Sequence, residues 1–218
     1  MGILASLGGL DWGGLDWAFL IAAFVTLFVV IDPVGMAPIF VALTAGASTR
    51  ARHAIAVRAC LVAFLLLAAF GLVGEEILAF IGISMPAFQI AGGLLLFLTA
   101  LDMLFERRTQ RREDKAGGGE DPSVFPLAMP LIAGPGAMAA MILLTGQAQG
   151  DAVRIIGVHL VMAVVIGLVF AMFLAAALIE RALGRIGTLV VTRLLGMLLG
   201  ALSVQFVLDG LRAAGVVG

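Results

Sequence analysis

The sequence predicts an all-α membrane protein with six transmembrane segments. They form two inverted three-span repeats, the first span of each repeat being broken at proline and glycine. Three observations carry that reading. Of the 218 residues, 62% are hydrophobic and only 12% charged, and the mean hydropathy is +1.18; soluble domains run about 45–50% apolar and about 25% charged. The apolar residues fall into six long segments divided by charged clusters. Two of those segments, at matching places in the two halves, carry Pro/Gly interruptions.

The segments lie near 17–46, 54–74, 83–104, 124–148, 155–179 and 188–209, with charged clusters at Arg50–Arg58, Glu106–Asp121 and Glu180–Arg185. A straight span needs about 20 apolar residues to cross a core of roughly 30 Å, and the second, third, fifth and sixth segments suit that length. The first would run roughly 45 Å as one straight helix at about 1.5 Å per residue. The fourth is also over length. Because both carry proline and glycine at their middles, they read as bent or broken helices.

Numbering the spans in order and alternating the loops puts eleven of the 13 basic residues on one side, leaving only Arg154 and Arg212 on the other. Basic residues collect on the cytoplasmic side, so both termini are expected to face outward, with Trp12 and Trp17 at the outer interface. The N-terminus has no basic stretch of the kind that opens a signal peptide. Met1-Gly2 with Ser6 fits a myristoylation pattern, which on an outward terminus reads as coincidence. The domain organisation is a first repeat over 1–105, a cytoplasmic linker over 106–123 and a second repeat over 124–218, together one membrane domain.

The repeat itself rests on paired positions. Asp32-Pro33-Val34-Gly35-Met36-Ala37 aligns with Gly134-Pro135-Gly136-Ala137-Met138-Ala139 at an offset of 102, which also pairs Arg52 with Arg154. An offset of 104 pairs Gly92 with Gly196 and Thr99 with Ser203. Three spans per repeat is an odd number, so the second copy must enter the membrane from the opposite side. Inverted repeats with interrupted helices at corresponding positions point to a transport site at the repeat interface. Backbone groups freed by a proline are tolerable at membrane depth only when buried in protein or lining a wet cavity.

Several classes are excluded or disfavoured. A net charge of -1 offers no basic field for nucleic acid. The single cysteine, Cys60, excludes an internal disulfide, and the two histidines, His53 and His159, are too few for a histidine-built centre. No metallopeptidase or phosphate-loop motif is present, so no enzyme is expected and no cofactor is implied. An intramembrane enzyme acting on a lipid-like substrate would need converging ionisable groups, for which only Asp32 and His159 offer themselves. A non-transporting membrane adaptor would use the charged linker as its surface.

Asp32 is the most informative residue, since an ionisable group inside an apolar run is costly and usually functional. It either binds an ammonium group, a coupling H+ or Na+, or caps the helix beginning at Pro33; the two roles are compatible. Arg193 either snorkels to the headgroups or reaches inward to a carboxylate. Gln89 and Gln205 are polar groups within the third and sixth spans, and Thr99 and Ser203 suit helix packing. Gly92, Gly93, Gly196 and Gly200 read as close-packing positions. His159 is either a hydrogen-bonded buried histidine or a member of a proton relay.

Longer stretches carry a family resemblance. Asp32-Pro33-x-Gly35-x-x-Pro38-x-Phe40 and Phe125-Pro126-Leu127-Ala128-Met129-Pro130-x-x-Ala133-Gly134-Pro135-Gly136 resemble the MarC family of bacterial inner-membrane proteins. Gly82-Ile83-Ser84-x-Pro86-x-Phe88-x-Ile90-Ala91-Gly92-Gly93, Arg193-Leu194-x-Gly196 and Gln205-Phe206 agree with it. The resemblance implies six spans with outward termini and a grouping with neutral amino-acid transporters. It places Asp32, Pro33, Gly35 and Pro38 at the first break, and Ala133, Gly134, Pro135 and Gly136 at the second. It also implies that asparagine can stand in for Asp32, which favours the capping role. The expected function is secondary transport of a small neutral solute, with Gln89, Arg193 and Gln205 contributing to the site, membrane lipid as surroundings and homo-oligomers compatible with the glycine faces.

Overall fold

The computed structural model describes residues 16–105 and 122–216. The linker expected over 106–123 lies almost wholly outside the described residues, as do Trp12, the N-terminal motif and the last two residues. The described chain is helical: α1 (Trp17–Ile31), α2 (Pro33–Leu43), α3 (Thr49–Ile81), α4 (Met85–Leu104), a wide-turned α5 (Ser123–Ile132), α6 (Pro135–Gln147), α7 (Ala152–Leu174) and α8 (Ala176–Ala213). Five helical stretches are long and apolar enough to cross a membrane, counting α1 and α2 as one, and the bent pair α5–α6 makes up to six.

Local sequence sets the boundaries. Asp16, Ser48, Ser84 and Asp151 each cap the helix that follows with a side-chain oxygen, satisfying one of the orphan N–H groups of a first turn. Gly82 ends α3 at φ 84°, where a residue without Cβ suits the left-handed stop. The 33 residues of α3 exceed the apolar segment at 54–74 because the flanking Arg50–Arg58 and Glu75-Glu76 continue the helix; charge marks where a span leaves hydrocarbon, not where its hydrogen bonds stop. For the same reason α8 begins at Ala176 rather than near 188, with a break at Gly184 (φ 59°).

α6 is the central helix. From Gly136 to Thr145 every residue except Met138 is buried, as suits a helix that is apolar all round. Three successive side chains seat against glycines of its neighbours. Met141 meets Gly71 and Ile142 meets Gly74, both on α3, while Leu143 meets Gly92 on α4. α4 and α8 run antiparallel at backbone distance. A Cβ on Gly93 would stand 2.9 Å from the Ser203 carbonyl oxygen, one on Gly196 3.3 Å from that of Ala100, and one on Gly210 3.1 Å from that of Pro86. In hydrocarbon, where apolar burial gives little drive, small residues that let backbones approach supply the attraction.

These contacts differ in what can yield. The nearest neighbour of Gly92 is the end of a leucine side chain, whereas Gly93 meets the Ser203 carbonyl and the Val207 backbone nitrogen as well as a valine methyl. Gly93→Ala is therefore expected to lower stability by about 1–3 kcal/mol through overpacking, and Gly92→Ala by clearly less. Denaturant unfolding of both variants in detergent micelles measures the difference; equal losses would contradict the packing described.

Candidate functional site

The first helix of each half is interrupted, and each interruption begins with what proline withholds. Pro33 and Pro38 have no N–H for the carbonyls of Val29 and Val34, four residues earlier, so the run from Trp17 to Leu43 cannot be one continuous hydrogen-bonded helix. The chain turns at Asp32, which adopts left-handed φ 57°, ψ 66°. Its N–H donates to the Phe28 carbonyl at 2.9 Å and its own carbonyl accepts from the Met36 N–H at 3.1 Å. Its carboxylate is 1% exposed. Oδ1 accepts from the Gly35 N–H at 3.0 Å, and Oδ2 faces the Thr192 hydroxyl of α8 at 3.4 Å. Gly35 is required here: any Cβ would collide with the Asp32 carboxylate.

The second interruption has another construction. Residues preceding proline are pushed toward extended backbone, and Phe125 and Met129, before Pro126 and Pro130, are extended inside α5. The turns widen accordingly: Leu127 N–H reaches the Pro122 carbonyl at 3.2 Å and Ala133 N–H that of Ala128 at 2.9 Å, five residues back in each case. The chain then bends by 54° into α6. Gly134 stands at the bend, where a Cβ would lie 2.5 Å from the Pro130 carbonyl oxygen. α6 starts at Pro135 and has no side-chain cap. The N–H groups of Gly136 and Ala137, in its first turn, belong to the set that a helix cannot satisfy internally.

The two breaks are neighbours. The position a Gly136 Cβ would take lies 3.5 Å from Val30 Cγ1, two residues before Asp32, and 3.4 Å from both Leu96 Cδ2 and Thr99 Oγ1. A buried carboxylate and an uncapped helix N-terminus, which carries partial positive charge, thus belong to neighbouring breaks, the first facing α8 at Thr192 and the second facing α4 at Leu96 and Thr99.

Residues 17–214 match the model of the MarC family of integral membrane proteins. The chain belongs to the MarC family. It is 43% identical to a UPF0056 membrane protein of Archaeoglobus fulgidus over 190 residues, covering 85% of this chain and 89% of that protein. It is 36% identical to the UPF0056 inner membrane protein YhgN of Escherichia coli K12 over 190 residues, 86% and 93% of the two chains. A UPF0056 membrane protein of Aquifex aeolicus is 32% identical over 211 residues, 93% and 97%. No solved structure matches.

The structure gathers some residues singled out from sequence and disperses others. Asp32, Pro33, Gly35, Ala133, Gly134, Pro135 and Gly136 lie at the two breaks, with Pro38 one turn into α2. Gln89 is half-buried on α4, seven residues, or about 10 Å, before the Leu96 that meets Gly136. Arg193 is exposed, and it is the adjacent Thr192 whose hydroxyl turns to Asp32. Gln205 is not brought to the breaks. It is exposed, donates to Asp209 at 2.8 Å, and stands thirteen residues beyond Thr192, about 20 Å along α8. Thr192, buried on a helix 160 positions away in sequence, had no local signal beyond being a hydroxyl in an apolar run. Thr99 serves its own helix by donating to the Leu95 carbonyl, yet also faces Gly136.

The turn at Asp32 makes a ranking of substitutions. Asparagine keeps both the cap and the tolerance for left-handed backbone, so Asp32→Asn should change stability by no more than about 0.5 kcal/mol. Asp32→Ala loses a cap of about 1 kcal/mol and meets a left-handed penalty of about 1–2 kcal/mol. Chemical denaturation of the two variants checks the order, and Ala equal to Asn would contradict the geometry.

Proposed function

We propose that this protein is a secondary transporter of a small neutral solute, a neutral amino acid in particular, across a bacterial inner membrane. The observation that carries the reading is the chemical difference between two adjacent breaks. The α2 N-terminus is already occupied by the chain's own Asp32 carboxylate, whereas the α6 N-terminus carries no cap. An α-carboxylate suits the Gly136 and Ala137 N–H groups. An ammonium group suits the Asp32 carboxylate and the carbonyls of Val29 and Ile31, at the C-terminal end of α1, where partial negative charge collects. Opposite charges at neighbouring breaks suit a zwitterion, and the close contacts around Gly136 favour a small side chain.

The inverted repeat with six spans belongs to this reading. It is supported by a break in the first helix of each half, by Arg52 and Arg154 standing early in the second helix of each, and by the antiparallel packing of α4 on α8, the last helix of each half. The distribution of basic residues supports outward termini, and YhgN is named as an inner membrane protein. H+ or Na+ supplies the driving force, and no chemical conversion of the solute is involved.

Proteoliposome uptake of radiolabelled glycine, alanine and serine, with and without an imposed H+ or Na+ gradient, tests the proposal. Saturable, gradient-dependent accumulation is expected. Asp32→Asn removes the charge offered to the ammonium, and Gly134→Leu drives a side chain into the Pro130 carbonyl; each should slow uptake by about tenfold or more. Wild-type rates in both folded variants would dismiss this site, and no flux of any of the three solutes from folded protein would dismiss the neutral amino-acid reading.

A further inference from the structure

Away from the breaks, a cavity of about 700 Å³ lies between α3 and α7, walled by Phe64, Ala68, Leu72, Ile156, His159 and Ala163. It runs along α7 from Ala152 to Ala163, a rise of about 16 Å, close to half of the roughly 30 Å hydrocarbon core. Exposed Leu65, Leu160 and Val164 flank it, so it opens onto the surface that a membrane protein presents to acyl chains. His159 is the one polar side chain among the residues that line it, and one of its ring nitrogens is buried without a partner. Its Nδ1 lies 2.8 Å from the Ile155 carbonyl, which can only accept, so Nδ1 carries the proton. Its Nε2 is enclosed beside Gly71. The depth, length and apolar lining fit one alkyl chain of a single leaflet.

The rim at the Ala152 end is acidic. Glu75 and Glu76 stand three and four residues beyond Leu72, on the face of α3 that lines the groove, and both are exposed. Asp151 caps α7 there. Of the two basic residues assigned to this side, Arg154 faces α1 and is held by Asp16 at 3.1 Å, with Phe19 under its guanidinium, and Arg212 of α8 is held by Asp209 at 3.0 Å. A headgroup above the groove therefore meets carboxylates, which disfavour an anionic lipid and suit an exposed ammonium.

We infer that this groove is a lipid site: it holds one acyl chain of a zwitterionic, ethanolamine-type phospholipid, whose ammonium lies against Glu75 and Glu76. The inference rests on the protein's being integral to the membrane, not on what it transports, so the uptake experiment and this one fail separately.

Native mass spectrometry of the full chain, released from nanodiscs of equimolar phosphatidylethanolamine and phosphatidylglycerol, tests it. The wild type should retain phosphatidylethanolamine over phosphatidylglycerol by about fivefold, the scale of one or two exposed charge contacts. The Glu75→Gln/Glu76→Gln protein should retain both equally. Ala163→Phe and Ala68→Leu, which fill the groove, should lose the retained lipid, while Leu98→Phe, at an exposed position on α4, should keep it. Thermal unfolding confirms that each variant is folded. Retention unchanged by both groove-filling variants, or an equal or greater share of phosphatidylglycerol in the wild type, would overturn the assignment.

Discussion

A peptide group released from its helix inside hydrocarbon has no water to turn to, and the architecture follows from that constraint. Two prolines early in α2 deny partners to carbonyls of the preceding turns. The chain can be interrupted there only because Asp32 supplies both a backbone conformation that few residues adopt and a carboxylate that closes onto Gly35. Burying that carboxylate is itself costly, and the burden passes to α8, where Thr192 turns its hydroxyl toward the second oxygen. The first break thus fixes where α8 must lie, and α8, through backbone contact at glycines, fixes α4.

The second break is solved differently, which gives the centre of the molecule its polarity. Proline drives Phe125 and Met129 into extended backbone, so α5 closes by wide turns rather than by a side-chain cap. Nothing equivalent to Asp32 stands before α6; the corresponding residue is Gly134. One half of the molecule brings its own anion to a helix end and the other leaves the helix end open. An arrangement with carboxylates at both breaks would repel the carboxyl end of an amino acid, and one with neither would give its ammonium only carbonyl dipoles. In the proposed transport reading, the asymmetry between the two breaks is what orients a zwitterion.

Much of this was legible in the sequence because it is local. Proline positions, the Asp-Pro junction, the glycines of α4 and α8 and the over-long first and fourth segments all declare themselves within a few residues. Helix ends were less legible, since α3 extends through the charged cluster Arg50–Arg58 and on to Ile81, beyond the apolar segment at 54–74. Tertiary choices were not legible at all. Thr192 and Arg193 are adjacent, and the charged one drew attention, yet a helix turns by about 100° per residue and it is the threonine that faces the break. Gln205 and Asp209, by contrast, are four residues apart on one helix, a local spacing at which side chains pair.

The α1–α2 unit is held at both ends as well as at its turn. At its start, Asp16 meets Arg154 of α7; at its end, the Thr44 carbonyl accepts from Arg52 Nε of α3 at 3.2 Å, and Phe40 stacks on Phe173 of α7 at 4.3 Å. A rod pinned at both ends can change shape only at its break. With the unit tied to α7 at Asp16 and Phe40 and to α3 at Thr44, the interruption at Asp32, where the capping carboxylate, Gly35 and Thr192 meet, is the point within it at which an angle can change. In a carrier, that is where motion and binding have to be coupled. The Asp16–Arg154 pair is only partly buried, with side chains 37% and 40% exposed, so it is the kind of contact that contributes little energy and can be exchanged. The buried turn is held by contacts on both sides, and the tie at the start of α1 is weak, which suits a helix able to bend without coming apart.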